Sequence, residues 1–215
     1  MDFVLDPVEV RVLGSLMEKE ITTPEYYPMS LNALVNACNQ KSNRDPAVSY
    51  DDDTVSDAIE RLKPKGLALT ITGGGSRVAK YAHRLSEKLN LGRREAAVLC
   101  ELMVRGPQTS GELRNRADRM HKFDDIEEVE AVLDRMGELV TKLPRRTGEK
   151  EQRFAHMLSG ASAVAAGEAA LEHGAPASAG PRSDRIGALE SEVAELRGDL
   201  AELKRQFAEF RKQFE

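Results

Sequence analysis

The sequence predicts a mainly α protein with small β-hairpins, made of two copies of one fold, then a flexible linker and a C-terminal coiled-coil helix. Three observations predict it. First, Val12-Leu13-Gly14-Ser15-Leu16-Met17 matches Val98-Leu99-Cys100-Glu101-Leu102-Met103 at an offset of 86, and Val55, Ala58, Ile59 and Leu62 match Val129, Val132, Leu133 and Met136 at an offset of 74. Two copies with a longer loop in the first explain both offsets. Second, residues 159–183 hold nine Ala, four Gly, four Ser and two Pro, too few large apolar side chains to offset the entropy of ordering. Third, Ile186, Leu189, Val193, Leu196, Leu200, Leu203, Phe207, Phe210 and Phe214 alternate spacings of three and four, the a/d seam of a coiled coil. The segments that follow are 1–90, 91–158, 159–183 and 184–215.

In the first copy, Asp6-Pro7-Val8-Glu9 is a capping box with proline at the first helical position. Val8, Val12, Leu13, Leu16 and Met17 then keep helical spacing to about Glu20. Ser30 caps a second helix through Leu31, Leu34, Val35 and Cys38. Residues 39–50 are polar, and Pro46 excludes helix at Asp45. A third helix from about Asp51 turns Val55, Ala58, Ile59 and Leu62 inward and ends before Gly66. Residues 67–72, the turn Gly73-Gly74-Gly75 and residues 76–83 read as strand, turn, strand.

The second copy repeats the order. A helix over 92–105 stops at Gly106-Pro107, and Thr109 or Ser110 caps another through Leu113 and Ala117. Asp124-Asp125-Ile126-Glu127 opens a third as a capping box, running to about Leu139. Residues 140–143 and 152–158 flank a turn with Pro144 and Gly148. Three helices and a hairpin make a winged helix, a helix-turn-helix variant, so two stand in tandem.

In the C-terminal seam, with Ile186 at a, the g residues Glu192, Asp199 and Gln206 precede the e residues Arg197, Lys204 and Arg211 by five positions. That is the pairing of a parallel coil, and a dimer is the expected state. The three Phe are bulky for two strands, which leaves a trimer or a further docking partner open.

Several runs resemble the YceH-like family of bacterial proteins. They are Thr23-Pro24-Glu25-Tyr26-Tyr27-Pro28, the unbroken stretch from Leu34 to Pro46, Gly75-Ser76-Arg77-Val78, Arg105-Gly106-Pro107-Gln108-Thr109 with Gly111-Glu112-Leu113-Arg114, and Lys150-Glu151-Gln152-Arg153. The likeness covers about 5–158. It implies tandem winged helices and says little about function.

Composition excludes several function classes. A net charge of −5 rules out a general polyanion binder and leaves room only for local basic patches. Two cysteines make no disulfide framework, and the N-terminus lacks a signal-peptide pattern, so a reducing, cytoplasmic setting is expected. No run of apolar residues is long enough to span a membrane. The four histidines are scattered without metal-ligand spacing, and Gly73-Gly74-Gly75 lacks the Lys-Ser/Thr of a phosphate loop. Cys38 and Cys100 fall on apolar helix faces, where small core residues are commoner than nucleophiles. The sequence therefore predicts no enzyme, cofactor or metal.

Contacts to a nucleic acid or a protein partner are the remaining class. Arg61, Lys63, Lys65, Arg77, Lys80 and Arg84 occur without an intervening acid, and Arg145, Arg146, Lys150 and Arg153 flank the second hairpin. Such clusters suit phosphates. Asn39, Gln40, Lys41, Ser42, Asn43 and Arg44 offer donors to phosphate, bases or a protein backbone, or else close their loop on itself. Against groove reading, the third helices present acids outward: Asp53, Asp57 and Glu60, then Glu127, Glu130, Asp134 and Glu138. Facing phosphates they would repel. The ranking that results is an adaptor joined to its copies by the coil, then a DNA-binding regulator using the hairpins and the 39–50 loop, then an enzyme.

Overall fold

The computed structural model describes residues 2–73, 76–145 and 151–161. Arg146, Lys150, the 162–183 part of the linker and the seam from Ile186 to Phe214 lie outside the described residues, and so does the coil expectation. What is described falls within one unit spanning Met1–Ala169.

The chain is mainly helical with small antiparallel sheets. Helix α1 (Pro7–Thr22) starts at the capping box: Asp6 accepts from the Val8 and Glu9 N–H groups, and the Glu9 carboxylate accepts the Asp6 N–H at 2.9 Å. Strand β1 (Met29–Ser30) leads into α2 (Leu31–Cys38), whose first turn is capped by the Ser30 hydroxyl. Asp51 caps α3 (Asp52–Leu62), and Val55, Ala58, Ile59 and Leu62 form its buried stripe. Strands β2 (Ala68–Gly73) and β3 (Ser76–His83) follow, and the sheet order is β1-β3-β2. A short helix α4 (Leu85–Lys88) ends the first half.

The second half has the same order: α5 (Arg93–Arg105), α6 (Ser110–Arg116), α7 (Ile126–Met136), then β4 (Val140–Lys142) paired with β5 (Phe154–His156). Just before α6, Gln108 bridges Phe154 of β5, at the place where β1 bridges β3 in the first half. The hairpin is thus repeated, with an isolated bridge in the second half where the first has a short strand.

Three local features depart from the sequence. The α7 cap is Asp125, accepting from the Glu128 N–H at 2.8 Å, one residue later than the expected box. The α-helix also ends at Met136, and Gly137–Leu139 continue as a 3-10 turn. Strand β1 and helix α4 were not foreseen, because two and four residues are too few for a periodic signal.

The halves meet along α1 and α5. Gly14 and Cys100, equivalent positions in the repeat, touch across the seam, with the Cys100 thiol donating to the Gly14 carbonyl at 3.4 Å. A Cβ on Gly14 would stand 2.9 Å from Val104 Cγ1 and 3.1 Å from Met103 Cβ, so the missing side chain is what allows this approach. Leu13, Leu16, Met17, Leu99, Leu102 and Met103 close around the contact in one core fed by both halves. The Leu5 N–H donates to the Leu158 carbonyl at 2.9 Å, joining the N-terminal segment to the end of the second half.

Candidate functional site

The polar loop between α2 and α3 turns Asn39, Asn43 and Arg44 toward the rest of the protein. Asn39 acts as a peptide mimic: its amide donates to the Tyr50 carbonyl at 2.7 Å and its oxygen accepts the Tyr50 N–H at 2.8 Å. Asn43 sits at φ 58°, a conformation asparagine tolerates, and its side-chain oxygen accepts from the Arg105 guanidinium of α5. The Asp45 N–H donates to the Val104 carbonyl at 3.0 Å. Loop and second half are thereby tied together. Gln40 is half-buried, and Lys41, Ser42, Asp45, Pro46, Ala47 and Ser49 are exposed.

Arg44 is the most enclosed residue of the loop. Its side chain is 0% exposed, so it offers no donor to a phosphate or a partner. Its guanidinium donates to Glu18 Oε2 at 2.5 Å, to the Ala37 carbonyl from Nε at 3.1 Å and Nη2 at 2.9 Å, and to the Asn43 carbonyl at 2.8 Å. The Ala37 bonds satisfy a carbonyl at the end of α2 that no intrahelical donor reaches. Arg119 of the second half donates to Glu18 Oε1 at 2.7 Å. Burial alone would push the Glu18 carboxyl up, but Arg44, with Lys19 and Arg119, holds it below its ordinary value.

Four residues of the basic run of the first half pair with acids of that half. Arg61 pairs with Asp6 at 3.1 Å and lies 3.7 Å from Glu9. Lys65 donates to Glu9 at 2.6 Å and to the Val4 carbonyl at 2.9 Å, Lys63 pairs with Glu60 at 2.6 Å, and Arg84 with Glu87 at 2.5 Å. Arg77 lies in β3, and half-buried Lys80 stands opposite Ile71 in the β2–β3 register. In the second half Arg145 is exposed beside a groove of about 240 Å³, which Lys142, Ile126, Glu130, Gln152 and Phe154 help to line. Arg153 is drawn away from the surface to Glu112 at 2.8 Å and the Pro107 carbonyl at 3.2 Å.

The acidic positions are exposed in both halves: Asp53, Asp57 and Glu60 on α3, Glu127, Glu130 and Asp134 on α7, and Glu138 just after it. Glu60 faces Lys63, and Glu130 accepts from the Ser110 hydroxyl at 3.1 Å. No arginine covers Asp53, Asp57, Glu127 or Asp134 in any described ion pair.

Sequence reasoning missed the charges buried inside. Arg11 donates to the Cys38 carbonyl at 3.2 Å and the Pro46 carbonyl at 2.7 Å, and desolvation lowers its affinity for the proton. Glu101 is 1% exposed with Arg105 Nε at 2.9 Å, and burial raises its carboxyl. The available signal was in α1 itself: its apolar residues occupy every face, so its charges had to be buried too. Gln108 is likewise internal, donating to the Glu101 carbonyl and accepting from Arg116, each at 2.9 Å.

The two cysteines and the His83 ring are enclosed. Burial pushes the Cys38 thiol up to about 11 and the Cys100 thiol well above its ordinary value. His83 Nδ1 accepts the Leu85 N–H at 3.2 Å, so Nε2 carries the hydrogen and donates to Glu20 at 2.8 Å. The Tyr27 hydroxyl accepts the His83 N–H at 2.7 Å, and its proton is held more tightly by burial. Among the described residues no group of His, Cys, Asp and Glu is arranged to hold a metal, and no helix is long and apolar enough to cross a membrane.

Comparison with known proteins places these features in a family. A model described as "Protein of unknown function, DUF480" matches residues 5–149. A UPF0502 protein of Solibacter usitatus is 59% identical over 196 residues, covering 89% of this chain and 92% of that one. Another, from Citrifermentans bemidjiense, is 53% identical over 196 residues, covering 89% of each. A third, from Geobacter sulfurreducens, is 50% identical over 197 residues, covering 89% of this chain and 90% of the relative. By that match and those identities, the chain belongs to the DUF480/UPF0502 family of uncharacterised bacterial proteins.

Proposed function

We propose that the protein is a non-enzymatic tandem winged-helix adaptor that binds another protein and joins to copies of itself. The repeated order of three helices and a hairpin, with strand β1 before α2 and an isolated bridge at Gln108 before α6, supports the winged-helix assignment. One observation carries the functional choice. Arg44, Arg61, Lys63, Lys65 and Arg84 each pair with an acid of their own half, while Asp53 and Asp57 on α3 and Glu127 and Asp134 on α7 stay exposed outside the described ion pairs. A surface of that sign repels a polyanion and suits a partner presenting basic or neutral groups. Closed-off thiols and a doubly bonded histidine ring support a role without catalysis.

A DNA-binding regulator is the second proposal, favoured by exposed Lys41 and by Arg145 beside the second hairpin. A mobility-shift titration of the full chain against random duplex DNA separates the two. The adaptor predicts no shift even at low salt. A shift that fades steeply with salt and disappears in Arg77→Glu/Lys80→Glu would replace it with the regulator.

A further inference from the structure

A chain of polar contacts runs through the interior from the second hairpin to the loop between α2 and α3. At the hairpin end, Arg153 donates to Glu112 Oε2 at 2.8 Å, and Arg116 donates to the other oxygen of that carboxylate at 3.1 Å. Arg116 also donates to the Gln108 side-chain oxygen at 2.9 Å, and the Gln108 amide donates to the Glu101 carbonyl at 2.9 Å. The Glu101 carboxylate lies 2.9 Å from Arg105 Nε, and Arg105 donates to the Asn43 side-chain oxygen. At the loop end, Arg44 donates to the Asn43 carbonyl at 2.8 Å and to Glu18 of α1 at 2.5 Å.

Three features leave these contacts little slack. Gln108 is fully buried, and its backbone exchanges both hydrogen bonds with Phe154 of the hairpin, at 2.7 and 3.0 Å. Its side chain therefore moves with β5. Glu101 is 1% exposed, and neither carboxylate oxygen finds a well-directed hydrogen bond among the described residues, so its described ion pair with Arg105 is what holds the charge. Shifting Arg105 would uncover a buried carboxylate, a costly change. That same guanidinium fixes Asn43, and the Asp45 N–H docks the loop on the Val104 carbonyl at 3.0 Å, one residue before Arg105. In surroundings of low polarity, such linked bonds strengthen or weaken together.

We propose that these contacts couple the second hairpin to the 39–50 loop, with Gln108 as the joint, so that loosening either end loosens the other. Both ends carry exposed donors: Arg145 beside the hairpin, and Lys41 with Ser42 in the loop. A partner that orders one end therefore steadies the other, and linkage makes the effect reciprocal. Gln108 and Asn43 share no bonding partner, and residues so placed ordinarily act independently. Non-additivity between them is the signature of the coupling. It holds whichever macromolecule the protein meets.

Amide hydrogen exchange on the full chain reads both ends. Gln108→Met keeps the backbone pairing with Phe154 but removes the side-chain bonds to Arg116 and the Glu101 carbonyl. It should speed exchange of the Asp45 amide about fivefold or more, while the α3 amides, in the same half but off these contacts, stay unchanged. Asn43→Gly suits the positive φ and removes the acceptor of Arg105, so it should speed the Phe154 amide by a similar factor. In the double variant the Asp45 rate should match that of Asn43→Gly alone, because the contact is already cut. Circular dichroism checks folding, and Asn43→Gly, in a half-buried position, reads the coupling even if Gln108→Met fails to fold. Asp45 rates equal in wild type and Gln108→Met, Phe154 rates equal in wild type and Asn43→Gly, independent effects in the double variant, or the same acceleration of the α3 amides would each overturn the proposal.

Discussion

Replacing Arg44 with methionine distinguishes a structural arginine from a ligand-binding one. The side chain is fully enclosed and supplies Glu18, the Ala37 carbonyl and the Asn43 carbonyl with donors. Methionine fills much of the volume but leaves Glu18, itself 1% exposed, with Arg119 as its remaining close partner in the second half. Removing one member of a buried pair costs about 3–5 kcal/mol, which for a chain of this size lowers the melting temperature by roughly 6–20 °C. The pH dependence adds a check on mechanism. Glu18 has its carboxyl held below the ordinary 4.5, so its contribution is present above that pH and is lost as pH falls through the folded-state value. The difference between wild type and Arg44→Met should therefore be full at pH 7 and shrink in acid. Glu18→Leu combined with Arg44→Met should recover part of the loss, because the uncompensated charge is gone. Urea unfolding followed by circular dichroism at pH 7 and pH 4 measures all of this. A change of less than about 1 kcal/mol at pH 7 would refute the buried-pair explanation.

Three other variants probe other parts of the fold. Gly14→Val pushes a branched side chain against Val104 and Met103, and is expected to cost about 1–3 kcal/mol or more in urea unfolding; no loss would mean that α1 and α5 do not pack as closely as described. Asn39→Ala removes both side-chain bonds to Tyr50 and should cost about 1–2 kcal/mol, whereas an exposed contact residue would leave stability unchanged. Burial lowers His156 to about 4, so the fold must hold the ring neutral. The wild type should accordingly lose stability as pH falls from 6.5 toward 4, and His156→Leu should flatten that part of the curve in thermal melts.

Local chemistry was legible in the sequence wherever it acts over a few residues. The Asp6 capping box, the Ser30 and Thr109 caps and the stripe Val55-Ala58-Ile59-Leu62 all work within one or two helical turns. The one-residue error at α7 arose because Asp124 and Asp125 are both competent caps and each places a glutamate, Glu127 or Glu128, at the third helical position, so the local pattern does not choose between them. The surface was harder to read. The 39–44 run has the composition of a binding loop, yet the fate of Arg44 was decided by Glu18, 26 residues earlier, and that of Asn43 by Arg105, 62 residues later. In the basic run from Arg61 to Arg84, Arg61 and Lys65 find Asp6 and Glu9 more than 50 residues earlier, whereas Lys63 and Arg84 pair with Glu60 and Glu87 only three residues away. Charge counted along a chain omits partners that only folding supplies. The acidic stripes were legible because they follow directly from which helix face is apolar.

The internal neutralisation of basic residues, with acids left outside, can be tested by fluorescence anisotropy of a labelled random duplex titrated with the full chain at several salt concentrations. The wild type should show no affinity tighter than about 10⁻⁴ M, the weak end of non-specific binding. Changing the α7 stripe to Glu127→Gln/Glu130→Gln/Asp134→Asn should strengthen binding measurably at low salt, because only repulsion is removed. Wild-type binding in the micromolar range with a steep salt slope, unaltered by those three neutralisations, would mean that a positive surface reaches DNA after all and that the adaptor proposal is wrong.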